Sequence, residues 1–166
     1  METHRAWKFG NNIDTDAILP GRFMANWNKH PEKLKDHCFA DLYPEFAKEV
    51  RPGDIIVAGA NFGCGSSRES APVAIKMTGV SVVIAQSFAR IFFRNSINIG
   101  LLALESTEAS KKIRHGDCLQ VTLDEGTIHN LTNQEMYHFT SLPPFLREIL
   151  DLGGLTPYVQ RRLGIE

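Results

Sequence analysis

The feature that most constrains the fold is a series of three short apolar runs separated by helix-like segments. They read "IIVAGA" over 55–60, "SVVIAQ" over 81–86 and "LLALE" over 101–105. Continuous apolar runs of this length, bounded by turn residues, are typical of strands buried on both faces. The order strand, helix, strand, helix, strand predicts parallel strands joined by right-handed crossovers.

The segment after the first strand is predicted to form a glycine turn and then a helix. It begins "NFGCGSSRES" over 61–70. We expect the helix to run from Ser66 or Ser67 to about Thr78, because a serine near the N-cap is closely followed by a glutamate and Pro72 falls in the first turns.

The rest of the chain is expected to add helices and antiparallel strands. The stripe from Phe88 to Asn95, stopped by Gly100, predicts the second crossover helix. Alternating polarity around the Asp-Glu-Gly turn in "HGDCLQVTLDEGTIHNLT" predicts a hairpin. Helical spacing also predicts helices over 31–46, in "PPFLREILDLGG" and in "LTPYVQRRLG", whereas "KFGNNIDTDAILPGRF" leaves little room for regular structure. The prediction is one α/β domain over 1–166 with a mixed, barrel-like sheet.

Composition excludes several functional classes. The 18 basic and 19 acidic residues give a net charge of -1, which argues against a nucleic-acid partner. The longest apolar runs are too short to cross a bilayer, and the N-terminal residues show no secretory signal. Three widely spaced cysteines and six histidines without ligand spacing predict no disulfide framework and no metal site, and they favour a reducing cytoplasm.

The glycine turn predicts a site for a small anion. Gly63 and Gly65 can adopt positive φ and let a ligand approach the backbone. The N–H groups at a helix N-terminus have no partner within the helix and attract negative charge. Ser66 and Ser67 add hydroxyl donors, and the planar fork of Arg68 suits a carboxylate or phosphate.

Simpler readings of the same stretch stay open. The turn lacks the ending of a P-loop and the third glycine of a dinucleotide motif, so a nucleotide fits poorly. The alternative without a ligand is a helix cap in which Arg68 pairs with a local acid such as Glu69 or Asp54.

The full string "NFGCGSSRE" resembles the small-subunit signature of the aconitase superfamily, and most closely that of the 3-isopropylmalate dehydratase small subunits. Further stretches agree in the same order: "DTDAILPGRF", "RPGDIIVAG", "SVVIAQSFARIFFRNSINIGL" and "GGLTPYV". The resemblance therefore covers nearly the whole chain, and several motifs in one order are much more specific than any single one.

This resemblance implies a swivelling β/β/α domain that is one half of a cytoplasmic hydro-lyase. Such enzymes dehydrate a 2-hydroxy acid and rehydrate it with the hydroxyl on the neighbouring carbon, here in leucine biosynthesis. A separate large subunit is expected to carry a [4Fe-4S] cluster whose open iron acts as a Lewis acid. No cofactor is expected on this chain, which would pair with that subunit as a heterodimer or heterotetramer.

The resemblance also assigns roles to individual residues. Ser66 matches the catalytic base, which works as an alkoxide, while Ser67 and Arg68 match residues that hold a substrate carboxylate. Asp16 matches an acidic residue near the active site. Turn capping alone would also explain an aspartate there, although Asp14 can serve that purpose.

The loop after Arg22 is expected to choose the substrate. Phe23 and Met24 suit an isopropyl or methyl group better than a further carboxylate, although packing in the core or against the large subunit would explain them equally. Related lyases acting on dimethylmalate or homoaconitate, and a stand-alone anion-binding module, are the alternatives. Arg90 and Arg94 are expected to bind local carbonyls or acids, and Cys64 is interpreted as a small turn residue.

Overall fold

The computed structural model describes residues 4–25 and 27–165. The strands of these residues are β1 (His4–Lys8), β2 (Ile55–Ala58), β3 (Val82–Ala85), β4 (Leu102–Glu105), β5 (Cys118–Thr122), β6 (Thr127–Asn130) and β7 (Glu135–His138). The α-helices are α1 (Thr15–Ile18), α2 (Phe46–Glu49), α3 (Ser70–Met77), α4 (Arg90–Asn98), α5 (Thr107–Lys112), α6 (Pro144–Asp151) and α7 (Leu155–Leu163). Gly21–Phe23 and Pro31–His37 form 3-10 helices.

The strands form one mixed sheet in the order β4-β3-β2-β1-β5-β6-β7. The four strands from β4 to β1 are parallel, as predicted for the three apolar runs, and β1 joins them to an antiparallel half. The predicted hairpin is β5 and β6, which β7 extends. The sequence interpretation missed β1, β7 and α5.

Each face of the parallel strands packs into its own apolar core. Ile56 and Val83 point to a core that also contains residues of α3 and α4 and the rings of Phe39 and Phe46. Their neighbours Ile55 and Val57 face a second core, closed by α5 and by the antiparallel strands. This division follows from the alternation of side chains along a strand, and it explains why the runs are apolar on both faces.

The sheet curls until its two outer strands meet at one end. Just past β7, the backbone N–H of Thr140 donates to the carbonyl oxygen of Glu105 in β4 at 2.8 Å. The Ser106 hydroxyl donates to the His138 carbonyl at 2.6 Å. The α/β fold with a mixed, barrel-like sheet is therefore confirmed.

Two local predictions are wrong. The segment 31–46 is not one helix, because Phe39 adopts a φ of +57° and its N–H donates to the Ile18 carbonyl at 2.7 Å. A 3-10 helix, a series of turns and the start of α2 replace the predicted helix. The stretch 8–23 does hold regular elements, namely the short helix α1 and the 3-10 helix that follows it.

Candidate active site

Loops that follow β1, β2 and β3 lie side by side at the carboxyl edge of the parallel strands. The N–H of Gly63 donates to the Ile13 carbonyl at 2.7 Å, and the N–H of Ala89 donates to the Phe62 carbonyl at 2.9 Å. These bonds continue the pairing of the strands beyond their ends. In parallel sheets the carboxyl edge is where ligands generally bind, and the glycine turn lies in the middle loop.

The absence of a side chain at Gly63 allows helix α4 to pack closely against this turn. Its φ is +80°, and a Cβ at this position would lie 2.1 Å from Cγ of the Phe92 ring. Phe92 is buried in the first turn of α4. Only glycine therefore permits both the backbone conformation and the close approach of the ring.

Helix α3 begins later than predicted. Its first residue is Ser70 and its N-cap is Glu69, whose side chain makes no capping bond, so the predicted start at Ser66 or Ser67 is wrong. The preceding residues are held as a loop, because the carbonyl of Ser66 accepts from the Thr15 hydroxyl at 3.2 Å and from the Arg68 N–H at 2.8 Å.

The loop presents a row of unused hydrogen-bond donors. The backbone N–H groups of Gly65, Ser66 and Ser67 donate to no atom of the described residues, and both serines are exposed. Gly65 has a φ of +92°, in the left-handed region. Successive N–H groups around a left-handed residue can form an anion-binding concavity. The donors thus come from the loop itself rather than from the end of a helix.

Arg68 pairs with Asp16, so the alternatives Glu69 and Asp54 are wrong. One guanidinium nitrogen of Arg68 donates to the Asp16 carboxylate, which also accepts the Gly21 N–H at 3.2 Å. Asp16 thereby connects the arginine to the turn that leads into the loop after Arg22.

The neighbouring acids have structural functions. The Asp14 carboxylate accepts the Ala17 N–H at 2.7 Å and caps α1, as the turn interpretation expected. Asp54 is 4% exposed and accepts the indole N–H of Trp7 at 2.8 Å.

A cleft of about 960 Å³ opens beside the glycine turn. Among the predicted site residues, Ser66 alone lines it. The other walls come from α4, from the end of β4 and from the segment 140–146, and they include Arg90, Arg94 and Glu105. Neither arginine contacts a carbonyl or acid among the described residues, contrary to expectation.

Phe23 and Met24 do not line the cleft. Both are half-buried and pack against the core on the α3 side of the sheet. The Phe23 ring stacks on His37 at a centroid distance of 3.9 Å, and the Arg22 guanidinium carbon lies 4.5 Å from its centre. These contacts within the chain therefore cover part of the Phe23 ring.

The described residues offer no ligand set for a metal on this chain. No group of three or more His, Cys, Asp or Glu side chains converges among them. Cys38 is fully buried in the core, and Cys64 lies in the glycine turn as predicted. No helix in the described ranges is long and apolar enough to cross a membrane.

Comparison with known proteins identifies the family. The family model of the aconitase C-terminal domain matches residues 5–109. The chain belongs to the aconitase C-terminal domain family. It is 53% identical to the isopropylmalate/citramalate isomerase small subunit of Methanocaldococcus jannaschii over 159 residues, which cover 96% of this chain and 94% of that one.

Other members of the family agree in sequence and in structure. The 3-isopropylmalate dehydratase small subunit 1 of Archaeoglobus fulgidus is 55% identical over 156 residues, 94% of this chain and 95% of that one. The crystal structure of a 3-isopropylmalate dehydratase chain from Methanocaldococcus jannaschii superposes with a TM-score of 0.92 at 43% identity, covering 97% of this chain and 94% of that one.

Sequence reasoning found the glycine turn of this family member but not the cleft. The cleft walls come from segments that are far apart in the chain, and curling of the sheet brings 140–146 next to α4. The one available signal was the position of Arg90 and Arg94 in "SFARIFFRN", where two cations follow a strand end at helical spacing.

Proposed function

We propose that this chain is the small subunit of a two-subunit hydro-lyase, 3-isopropylmalate dehydratase. The enzyme would interconvert 2-isopropylmalate and 3-isopropylmalate in leucine biosynthesis, with this chain acting as a single swivel domain over residues 1–166. The observation that carries the proposal is an exposed, donor-rich loop at Ser66 in a chain 55% identical to a named small subunit over 94% of its length.

Ser66 is proposed as the base that removes the carbon-bound proton. A serine hydroxyl is a very weak acid, so its alkoxide needs strong stabilisation. The unused N–H groups of the loop supply fixed dipoles that favour negative charge at this point. The hydroxyl is exposed and lines the cleft, so a substrate can reach it.

Ser67 and Arg68 are proposed to hold a substrate carboxylate. The Arg68 side chain is 25% exposed, and one of its nitrogens is occupied by Asp16. Because a guanidinium carries five N–H donors, it can keep this partner and still form a bidentate pair with a ligand. Asp16 is then a positioning residue, and Phe23 and Met24 would contact the variable group of the substrate from the adjoining turn.

The [4Fe-4S] cluster is proposed to reside on a large subunit, and the holoenzyme in the cytoplasm. The residues of this chain do not fit such a cluster, since its described side chains form no converging ligand group. The partner follows from the small-subunit names of the relatives.

Reconstitution tests the proposed function. The isolated chain should be inactive, and adding it to the cluster-loaded large subunit should give turnover of isopropylmalate. Ser66→Ala should lower kcat by at least about 100-fold, as expected for loss of a positioned base. Ser67→Ala should mainly raise KM, and Ser141→Ala is the control, since that serine is exposed on the same cleft outside the loop. Near-normal kcat for Ser66→Ala would refute the base assignment.

Citramalate is a second candidate substrate, because one relative is named for both isopropylmalate and citramalate. A panel of isopropylmalate, citramalate, dimethylmalate and homoaconitate on the reconstituted enzyme separates these substrates by kcat/KM. Turnover of homoaconitate alone would contradict the proposed apolar contacts of Phe23 and Met24 with the substrate. A chain that bound carboxylates tightly without any partner, and never activated one, would instead be an anion-binding module.

A further inference from the structure

The cleft beside Ser66 combines apolar walls with two cations that have no partner in the described part of the chain. Arg90 and Arg94 are both exposed and line it together, four residues apart on one face of α4. The apolar part of the wall includes Ile91, which is 41% exposed, and Leu146. Glu105 is the acid in this lining, and its carboxylate already accepts the Phe88 N–H at 3.3 Å.

Both arginines are unfavourably placed for the isolated chain. Arg90 is the first residue of α4, where the helix dipole disfavours a cation, and no acidic residue lies in that first turn. Like charges at i and i+4 on a helix also repel each other. Residues that contradict local rules without compensation within the chain generally mark a functional site.

We propose that this cleft receives a segment of the large subunit that carries carboxylates for Arg90 and Arg94 and apolar side chains for the wall around Ile91. This inference rests on the proposed function, since it assumes that subunit. The charge of the lining supports it, because Arg90 and Arg94 have no acidic partner among the described residues. Its volume of about 960 Å³ is at the upper end of the range that encloses drug-sized ligands. A small hydroxy dicarboxylate would leave most of it empty.

The position of the cleft beside Ser66 indicates what the docking would do. Ser66 lines the same cleft, so a partner segment that fills the rest of it would enclose the substrate beside the proposed base and exclude water. Arg90 and Arg94 would then fix how the two subunits meet, while Arg68, which does not line this cleft, keeps its remaining donors for the substrate.

Charge reversal tests the proposal. Arg90→Glu combined with Arg94→Glu should weaken binding to the large subunit at least about 10-fold in calorimetry and reduce the dependence of affinity on salt. Folding should be retained, because neither side chain has a hydrogen-bond or ion-pair partner within residues 4–25 and 27–165, and an acid suits the first turn of α4. Circular dichroism and thermal melting check this. Ile91→Ser should weaken binding with the salt dependence unchanged.

A matched control and the kinetics separate the possible outcomes. Lys111→Glu with Arg114→Glu makes the same change of charge on a different cleft and should leave the affinity unchanged. At saturating partner the Arg90 and Arg94 variant should keep the wild-type KM. Unchanged affinity for the large subunit with a raised KM would mean that the two arginines bind substrate. Unchanged affinity with an unchanged KM would mean that they bind neither the substrate nor the large subunit. Either result overturns the proposal. If the two wild-type subunits neither bind each other nor turn over isopropylmalate, the proposed function itself has failed.

Discussion

The close contact between Gly63 and Phe92 allows a quantitative prediction for Gly63→Ala. An alanine at a φ of +80° costs about 1–2 kcal/mol in backbone conformation. The new Cβ would lie 2.1 Å from the buried ring, and overpacking of this kind costs about 1–3 kcal/mol. We therefore expect the free energy of unfolding to fall by about 2–5 kcal/mol, a large part of a typical domain's stability of about 5–15 kcal/mol.

The assay is urea unfolding followed by fluorescence, for which the fully buried Trp7 is a suitable reporter. Gly116→Ala is the matched control, since Gly116 has a φ of +86° and nothing within 4 Å of its Cβ position. It should lose about 1–2 kcal/mol, the conformational cost alone. Phe92→Leu should relieve the clash, so the double variant should lose less than the sum of the two single variants. Equal losses for Gly63→Ala and Gly116→Ala would refute the reasoning.

Two further predictions concern buried groups. Asp54→Ala should lower the free energy of unfolding in urea by about 2–5 kcal/mol, because it leaves the buried Trp7 N–H unpaired. Asp41→Ala, which removes one partner of an exposed ion pair, should barely change the urea midpoint. Similar losses for the two variants would contradict this. Burial raises the pKa of the Cys38 thiol, so at pH 8 a thiol reagent should label the partly exposed Cys64 and Cys118 first and Cys38 only as the protein unfolds. Because the pKa of the Cys38 thiol is higher in the folded state, its contribution to the free energy of unfolding is fully present below the unfolded pKa of about 8.5 and declines as the pH rises above it. Equal labelling rates for Cys64 and Cys38 in the folded protein would refute the burial of Cys38.

Strands β2, β3 and β4 of the parallel half were predictable because each lies in a nearly continuous apolar run bounded by turn residues. Such a run indicates a buried strand without any tertiary context. β1 reads "HRAWK", and only its pairing with β2 on one side and β5 on the other makes it a strand. β7 reads "EMYH" and buries only Tyr137, while its other apolar residue, Met136, is exposed, so no apolar-polar alternation identifies it.

The site was predictable in composition but not in geometry. The glycines, serines and arginine of the turn were identified, yet the helix was predicted to start too early, because contacts from Thr15 and Arg68 hold the Ser66 carbonyl in the loop. Likewise the apolar spacing over 31–46 fits a helix until Phe39 turns into the left-handed region to meet the Ile18 carbonyl. Each error reflects a tertiary contact that outweighs a local preference.

The meeting of β4 and β7 bears on whether the edges of the sheet can pair with strands of other chains. Open sheet edges invite other chains to add strands, which leads to aggregation. Here the N–H of Thr140 already binds the Glu105 carbonyl, so part of the β4 edge is occupied by the chain itself. Both outer strands are four residues long, which leaves little length for a foreign strand to extend. The sheet of a newly made chain therefore offers little template for adding a foreign strand.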